Sequence, residues 1–206
     1  MDFQEYKQKT LGDEIKASQA LVKLFNFEKK AKGYYSESFE LDTFDDDTFE
    51  YYFEFDKKQT QEYLKHIKPF ATVDGTGGFA AFWVLGESID NAPIIVFGSE
   101  GNIKIVAKNL FDFMRLLTFD SELMDGVSTK SLQEYKPSTY KNEFITFLKK
   151  EFDLEPVSDI THEELYGNSK ESIQITKEAE KLYKDKFIKW HQQFFDISEY
   201  YNLETD

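Results

Sequence analysis

Three stretches of this chain contain residue types and spacings that could do chemistry. The first is Asp74-Gly-Thr-Gly-Gly-Phe-Ala-Ala-Phe-Trp-Val-Leu-Gly-Glu87, with Gly75, Gly77 and Gly78 ahead of an apolar run. Glycine-rich turns cradle phosphates, but a P-loop needs a lysine followed by Ser or Thr after its last glycine. Here Phe79-Ala-Ala-Phe82 follows instead. A dinucleotide fingerprint needs Gly-x-Gly-x-x-Gly opening a helix. Ala80 stands where its third glycine belongs, and a strand-like run follows. The better expectation is a tight turn entering a strand, with one of the three glycines at positive φ. The second stretch, Gly98-Ser-Glu-Gly101, lacks the first glycine of a nucleophile elbow because Phe97 occupies it. It fits a hairpin turn. The third, His162-Glu-Glu-Leu-Tyr166, has tyrosine where a zincin needs its second histidine. Thr161-His-Glu-Glu164 fits a helix-capping box instead.

Other catalytic chemistries fare no better. The chain has no cysteine, which removes thiol catalysis, disulfides and cysteine-ligated zinc and fits a reducing, cytoplasmic setting. His66, His162 and His191 are its only histidines. Asp42-Thr-Phe-Asp-Asp-Asp47 is acidic enough to suggest calcium, but Phe44 and the missing glycine break the EF-hand pattern. No cofactor or metal is therefore expected. The remaining enzymatic possibility is carboxylate chemistry from residues 37–56, which would require a concave pocket with carboxylates of shifted pKa.

Charge points toward binding. The 206 residues carry a net charge of −14, so the chain should repel nucleic acid and anionic membranes and attract a basic protein surface. No apolar leader follows Met1, and no run approaches the length of a membrane span. The acidity is concentrated. Residues 37–56 hold nine acids and no lysine or arginine, whereas residues 1–36 carry seven lysines against five acids. Within the acidic run, Asp45, Asp46, Asp47, Glu50 and Glu54 are the candidate partner-binding residues. Such a run can equally be a solvated face, but nine carboxylates without a counter-charge repel one another. Aromatic content is also high, with 21 Phe, 12 Tyr and 2 Trp. These rings can fill a core or anchor an interface.

The elements that must position these residues follow from periodicity. Leu11, Ile15, Val22 and Phe25 predict a helix over 10–26. Phe39 and Leu41 predict a short strand, Thr43–Thr48 a turn, and the aromatic alternation of Phe49–Asp56 a second strand. Residues 61–68 predict a short helix or turn closed by Pro69. Strands are expected at Phe79–Leu85, Ile94–Phe97 and Ile103–Ala107, the last two joined by the five-residue loop Gly98–Asn102. A helix carrying Leu110, Phe113, Met114 and Leu117 should follow. Two more are expected over Tyr140–Phe152 and Ile175–Phe195, the second with Leu182, Phe187, Trp190 and Phe194 on one stripe.

Taken together, Pro69-Phe-Ala-Thr-Val-Asp-Gly-Thr-Gly-Gly78, Phe79-Ala-Ala-Phe-Trp83, Ala92-Pro-Ile-Ile-Val-Phe-Gly-Ser-Glu-Gly101 and Val106-Ala-Lys-Asn-Leu-Phe-Asp-Phe-Met-Arg-Leu-Leu117 resemble the SUKH superfamily. That superfamily includes bacterial immunity proteins and fungal regulators of cell-wall glucan synthesis. The match covers about a quarter of the chain. Tyr140-Lys-Asn-Glu-Phe-Ile-Thr-Phe-Leu-Lys149 is more weakly similar to a later helix of bacterial members. The resemblance implies an α+β fold, with a central, largely antiparallel sheet flanked by helices. Residues 1–155 would form this domain, and residues 156–206 a helical C-terminal extension packed on it. It also implies a binding scaffold without catalytic residues. Its partner would be a cognate toxin, often a nuclease and therefore basic. The alternative is a regulatory or scaffolding role without a toxin. Gly75, Gly77, Gly78, Gly98 and Gly101 would then be structural turn residues.

Overall fold

The computed structural model describes residues 1–123, 129–131, 136–157, 160–163 and 166–195. The chain opens with two helices rather than one. α1 (Phe3–Leu11) starts at Asp2, whose carboxylate accepts from the Glu5 amide at 2.9 Å, and stops at Gly12, where φ is +75°. α2 (Gln19–Glu28) restarts at Ser18, whose Oγ accepts from the Leu21 amide at 3.1 Å. The helix expected over 10–26 is thus broken by a positive-φ glycine and a new N-cap. In the gap, Lys16 pairs with Ser88.

β1 (Glu40–Leu41) lies where a short strand is expected, but the segment after it is not a strand. α3 (Asp46–Phe53) takes up most of the expected 49–56 strand and the end of the expected 43–48 turn. Phe49 and Phe53 are buried four residues apart, and Tyr51 between them is 89% exposed, which is helical rather than alternating burial. Asp46 and Asp47 in the first turn favour the positive end of the helix dipole. Glu54 ends α3 in a left-handed conformation, with φ +54°. α4 (Lys57–Leu64) follows at once, opened by a reciprocal capping box between Asp56 and Gln59.

The short helix or turn expected over 61–68 ends as helix at Leu64, and β2 (Ile67–Thr72), which contains Pro69, takes up the rest. Its register with β3 (Phe79–Trp83) shifts between Pro69 and Ala71. A bulge is one of the few places a sheet tolerates proline. β4 (Ile94–Phe97) and β5 (Ile103–Ala107) are adjacent antiparallel strands, as their spacing predicts. The sheet has the order β1-β2-β3-β4-β5, with every pair antiparallel. The α+β expectation therefore holds.

After the sheet comes α5 (Leu110–Leu117), capped by the Asn109 carboxamide on the Asp112 amide at 3.0 Å. Next are β6 (Thr129–Ser131), α6 (Lys141–Phe152), β7 (Ile160–Glu163), β8 (Tyr166–Ser169) and α7 (Lys170–His191). β6, β8 and β7 form a second antiparallel sheet in that order. Thr161 and His162 are therefore in a strand rather than a helix cap, and Glu164 lies outside the described residues. The final helix ends at His191, short of the Phe195 expected from periodicity, and Phe194 follows it in a turn.

The pleat divides the core. Ala80, Phe82, Ile94, Val96 and Val106 face α1, α2, α5 and α6. Phe79, Ala81, Trp83, Ile95, Phe97 and Ile105 face the aromatic residues of α3, α4 and α7. Helices thus cover both sides, which is why β3 reads Phe-Ala-Ala-Phe-Trp without a polar residue, and all five are buried. α7 closes the second side through Ala179 and Phe187, and its Thr176 hydroxyl donates to the Val106 carbonyl at 3.2 Å. Leu182, expected on its buried stripe, is 53% exposed, since the inward face runs through 179, 183 and 187. No described helix is long and apolar enough to cross a membrane.

Candidate functional site

The glycine stretch has an internal occupant. Asp74 is buried, and its Oδ1 accepts from the Thr76 amide at 2.7 Å, the Thr76 hydroxyl at 2.8 Å and the Gly78 amide at 3.0 Å. The amides that would meet a phosphate in a nucleotide loop are turned onto this carboxylate. Burial alone would raise the pKa of Asp74, but the Gly78 and Thr76 donors outweigh it and leave the carboxyl below its usual range. Gly77 holds the positive φ, at +111°, and β3 leaves the turn as a strand. Gly78 is required for space, since a Cβ there would overlap Asp74 Oδ2 and lie 3.2 Å from the Phe97 carbonyl oxygen.

The neighbouring hairpin loop is built similarly. Gly101 has φ +86°, and the Gly98 amide donates to the Asn102 carbonyl at 2.8 Å. The Ser99 and Thr76 hydroxyls lie 2.8 Å apart and join the two turns. The Tyr52 hydroxyl donates to the Gly98 carbonyl, which fastens α3 to this end of the sheet.

α3 brings the five acidic candidates onto one short element. Asp45, Asp46 and Asp47 are exposed at its start, Glu54 is exposed at its end, and Glu50 is half-buried between them. None of the five forms an ion pair with a described residue. One Glu50 carboxylate oxygen, Oε1, is buried without a hydrogen-bond partner. The inner face of the helix is fixed. The Phe49 ring packs edge-on to Phe79 at 5.4 Å, and Phe53 edge-on to Phe97 at 5.6 Å.

Tyr51 escapes a reading of the sequence as strand, because alternation assigns it the same face as Phe49 and Phe53. On a helix it lies four residues after Asp47 and three before Glu54, so the three share a face. Its 89% exposure makes it the most exposed large hydrophobic side chain among the described residues. The telling signal was the pair of aspartates preceding an aromatic spacing of four.

No described group of three or more acidic or histidine side chains is arranged to hold a metal. His191 is buried on α7 with its Nδ1 3.1 Å from the Tyr63 hydroxyl, and His66 Nδ1 lies 3.1 Å from the Val84 carbonyl. A separate carboxylate also escaped the sequence. Glu28, at the end of α2, accepts from the Tyr35 hydroxyl at 2.7 Å and from the Leu41 amide at 3.0 Å. Burial, reinforced by Glu40 and Asp42, raises its pKa to about 7. Comparison of the chain with protein-family models, with curated proteins and with solved structures finds no match.

Proposed function

We propose that this chain is a non-catalytic binding protein of the immunity type, which occupies a cognate toxin through the outer face of α3. The observation that carries this reading is Tyr51, almost wholly exposed between Asp47 and Glu54 on a helix whose other face is locked to the sheet. Tyrosine brings large contact area at small conformational cost, and it takes a cation on its ring face. Carboxylates without counter-charges steer a basic surface toward it. A rigid helix lets both act without an ordering penalty. A nuclease domain, basic because it must approach phosphates, is the partner chemistry this face fits best. The resemblance to SUKH immunity proteins agrees with it. A regulatory scaffold of the fungal glucan-synthesis type would present the same face to a different basic protein.

The test is association with a candidate cognate toxin of basic nuclease type, measured by stopped flow at low and high ionic strength. The variant carries Asp45→Asn, Asp46→Asn, Asp47→Asn, Glu50→Gln and Glu54→Gln. Association should slow about tenfold or more at low salt and lose most of its salt dependence. Tyr51→Ala should act mainly on dissociation, speeding it about tenfold or more. An unchanged rate and salt response in the five-site variant would show that the acidic run only solvates the surface.

A further inference from the structure

The cleft beside Glu28 is a different place from the α3 face, and its chemistry is different. It encloses about 480 Å³ between the end of α2, residues 31–35 and β1, and Glu28, Tyr34, Tyr35, Phe39 and Glu40 line it. Tyr35 and Phe39 are buried, and Tyr34 is 53% exposed at the mouth. Glu28 makes no ion pair with a described residue. Its Oε2 accepts from both the Tyr35 hydroxyl and the Leu41 amide, whereas its Oε1 receives only a share of that same amide. A carboxylate oxygen has two acceptor positions, so Oε1 has capacity for a further donor. Two lysines also line the cleft. Lys29 is turned away from it, donating to the Met1 carbonyl and lying 5.7 Å from the centre of the Phe25 ring. Lys32 is exposed.

We infer that this cleft is a binding site for a guanidinium group, which would pair with Glu28 and stack against the exposed ring of Tyr34. Guanidinium is the cation best suited to such a site. It is planar, weakly hydrated, rich in donors and favoured over aromatic faces. An ammonium would have to give up a tighter hydration shell to enter. Among the described residues, Tyr6 from α1 and the carboxylates of Glu40 and Asp42 around β1 also act on Glu28 electrostatically, and both carboxylates favour a cation. Burial holds much of Glu28 protonated near neutrality, so occupancy should increase with pH as its carboxylate ionises. The site does not depend on the toxin-binding reading, because the five carboxylates of α3 take no part in it.

The probe is Nα-acetyl-arginine methylamide, with its citrulline counterpart as an uncharged control of similar shape. Binding is followed through the Leu41 amide resonance of the full chain. The arginine derivative should shift this resonance saturably, at least fivefold more tightly at pH 8 than at pH 6, while the citrulline derivative leaves it unmoved. Glu28→Gln should weaken binding at least tenfold. Should that variant fail to fold, Tyr34→Ala at the exposed mouth decides the matter, with a loss of about threefold or more expected. Equal binding of the two derivatives, no binding of either, or arginine binding untouched by these variants would overturn the assignment. Methylguanidinium and an arginine-containing tripeptide separate the two sources of the group. Equal affinities identify a small-molecule site, and tenfold tighter peptide binding identifies a protein arginine.

Discussion

Replacing Glu28 by Gln should change how the stability of this protein depends on pH, and the size of the change can be worked out. The carboxyl has a pKa near 4.5 in an unfolded chain and about 7 in the fold, where burial acts first and Glu40 and Asp42 add to it. The folded state therefore holds the proton more tightly. Its contribution to stability is fully present below pH 4.5 and is lost as pH rises through 7. A difference of about 2.5 pH units corresponds to about 3 kcal/mol at about 1.4 kcal/mol per unit. Gln keeps the shape and an oxygen for the Leu41 amide, and the Tyr35 hydroxyl can rotate to accept from the new amide nitrogen. At pH 8 the variant should match the natural chain or exceed it by up to about 3 kcal/mol. Near pH 4.5 the advantage should vanish or reverse. Urea unfolding followed by tryptophan fluorescence at several pH values between 4.5 and 8 measures this. The buried His191 titrates in part of the same window with the opposite sign, but it is common to both proteins and cancels in their difference. If the two proteins keep the same difference in stability from pH 5 to pH 8, the proposed protonation of Glu28 is wrong.

Three other expectations rest on separate parts of the molecule. Burial holds the pKa of His191 down to about 3, so stability should fall as pH drops below 6.5, by about 3 kcal/mol at pH 4, and His191→Leu should remove most of that slope in the same unfolding assay. Gly78→Ala should cost roughly 3 kcal/mol or more, because its methyl meets Asp74 and the Phe97 carbonyl; Gly77→Ala, which meets only an unfavourable φ, should cost about 1–2 kcal/mol, and thermal unfolding should separate the two. Leu182→Lys should be nearly neutral, within about 0.5 kcal/mol, because the side chain lies off the buried stripe of α7. A cost above about 2 kcal/mol would mean that Leu182 is packed against something.

The sequence was most legible where one local rule acted alone. Ile94–Phe97 and Ile103–Ala107 are apolar runs separated by two glycines, and nothing else competes for them. The helix from Leu110 has an N-cap and a strongly one-sided apolar face. The sequence misled where two rules disagreed. Phe49, Tyr51, Phe53 and Phe55 alternate as a strand would, yet Phe49 and Phe53 also lie one helical turn apart, and the aspartates before them settle the choice. Pro69 stops a helix in sequence terms, and here it sits at a bulge within β2. The candidate acids were visible as composition, but Tyr51 could be placed among them only once α3 was known to be helical. Glu28 gave no local signal, because its burial arises from Tyr35 and Leu41, residues that the fold brings back to it.

The bulge at Pro69 also bears on the fate of this protein at high concentration. β1 pairs only with Ala71 and Thr72, so among the described residues no strand lies against the outer side of β2 from Ile67 to Pro69. A strand edge without a partner strand, in a sheet this apolar, is a template on which further chains could stack into fibrils once uncovered. Proline at residue 69 offers no amide hydrogen to an incoming strand, and the shifted register spoils the straight ladder that stacking needs. The irregularity that hid β2 from sequence inspection therefore also works as a guard against polymerisation, which a straight, proline-free version of the same strand would lack.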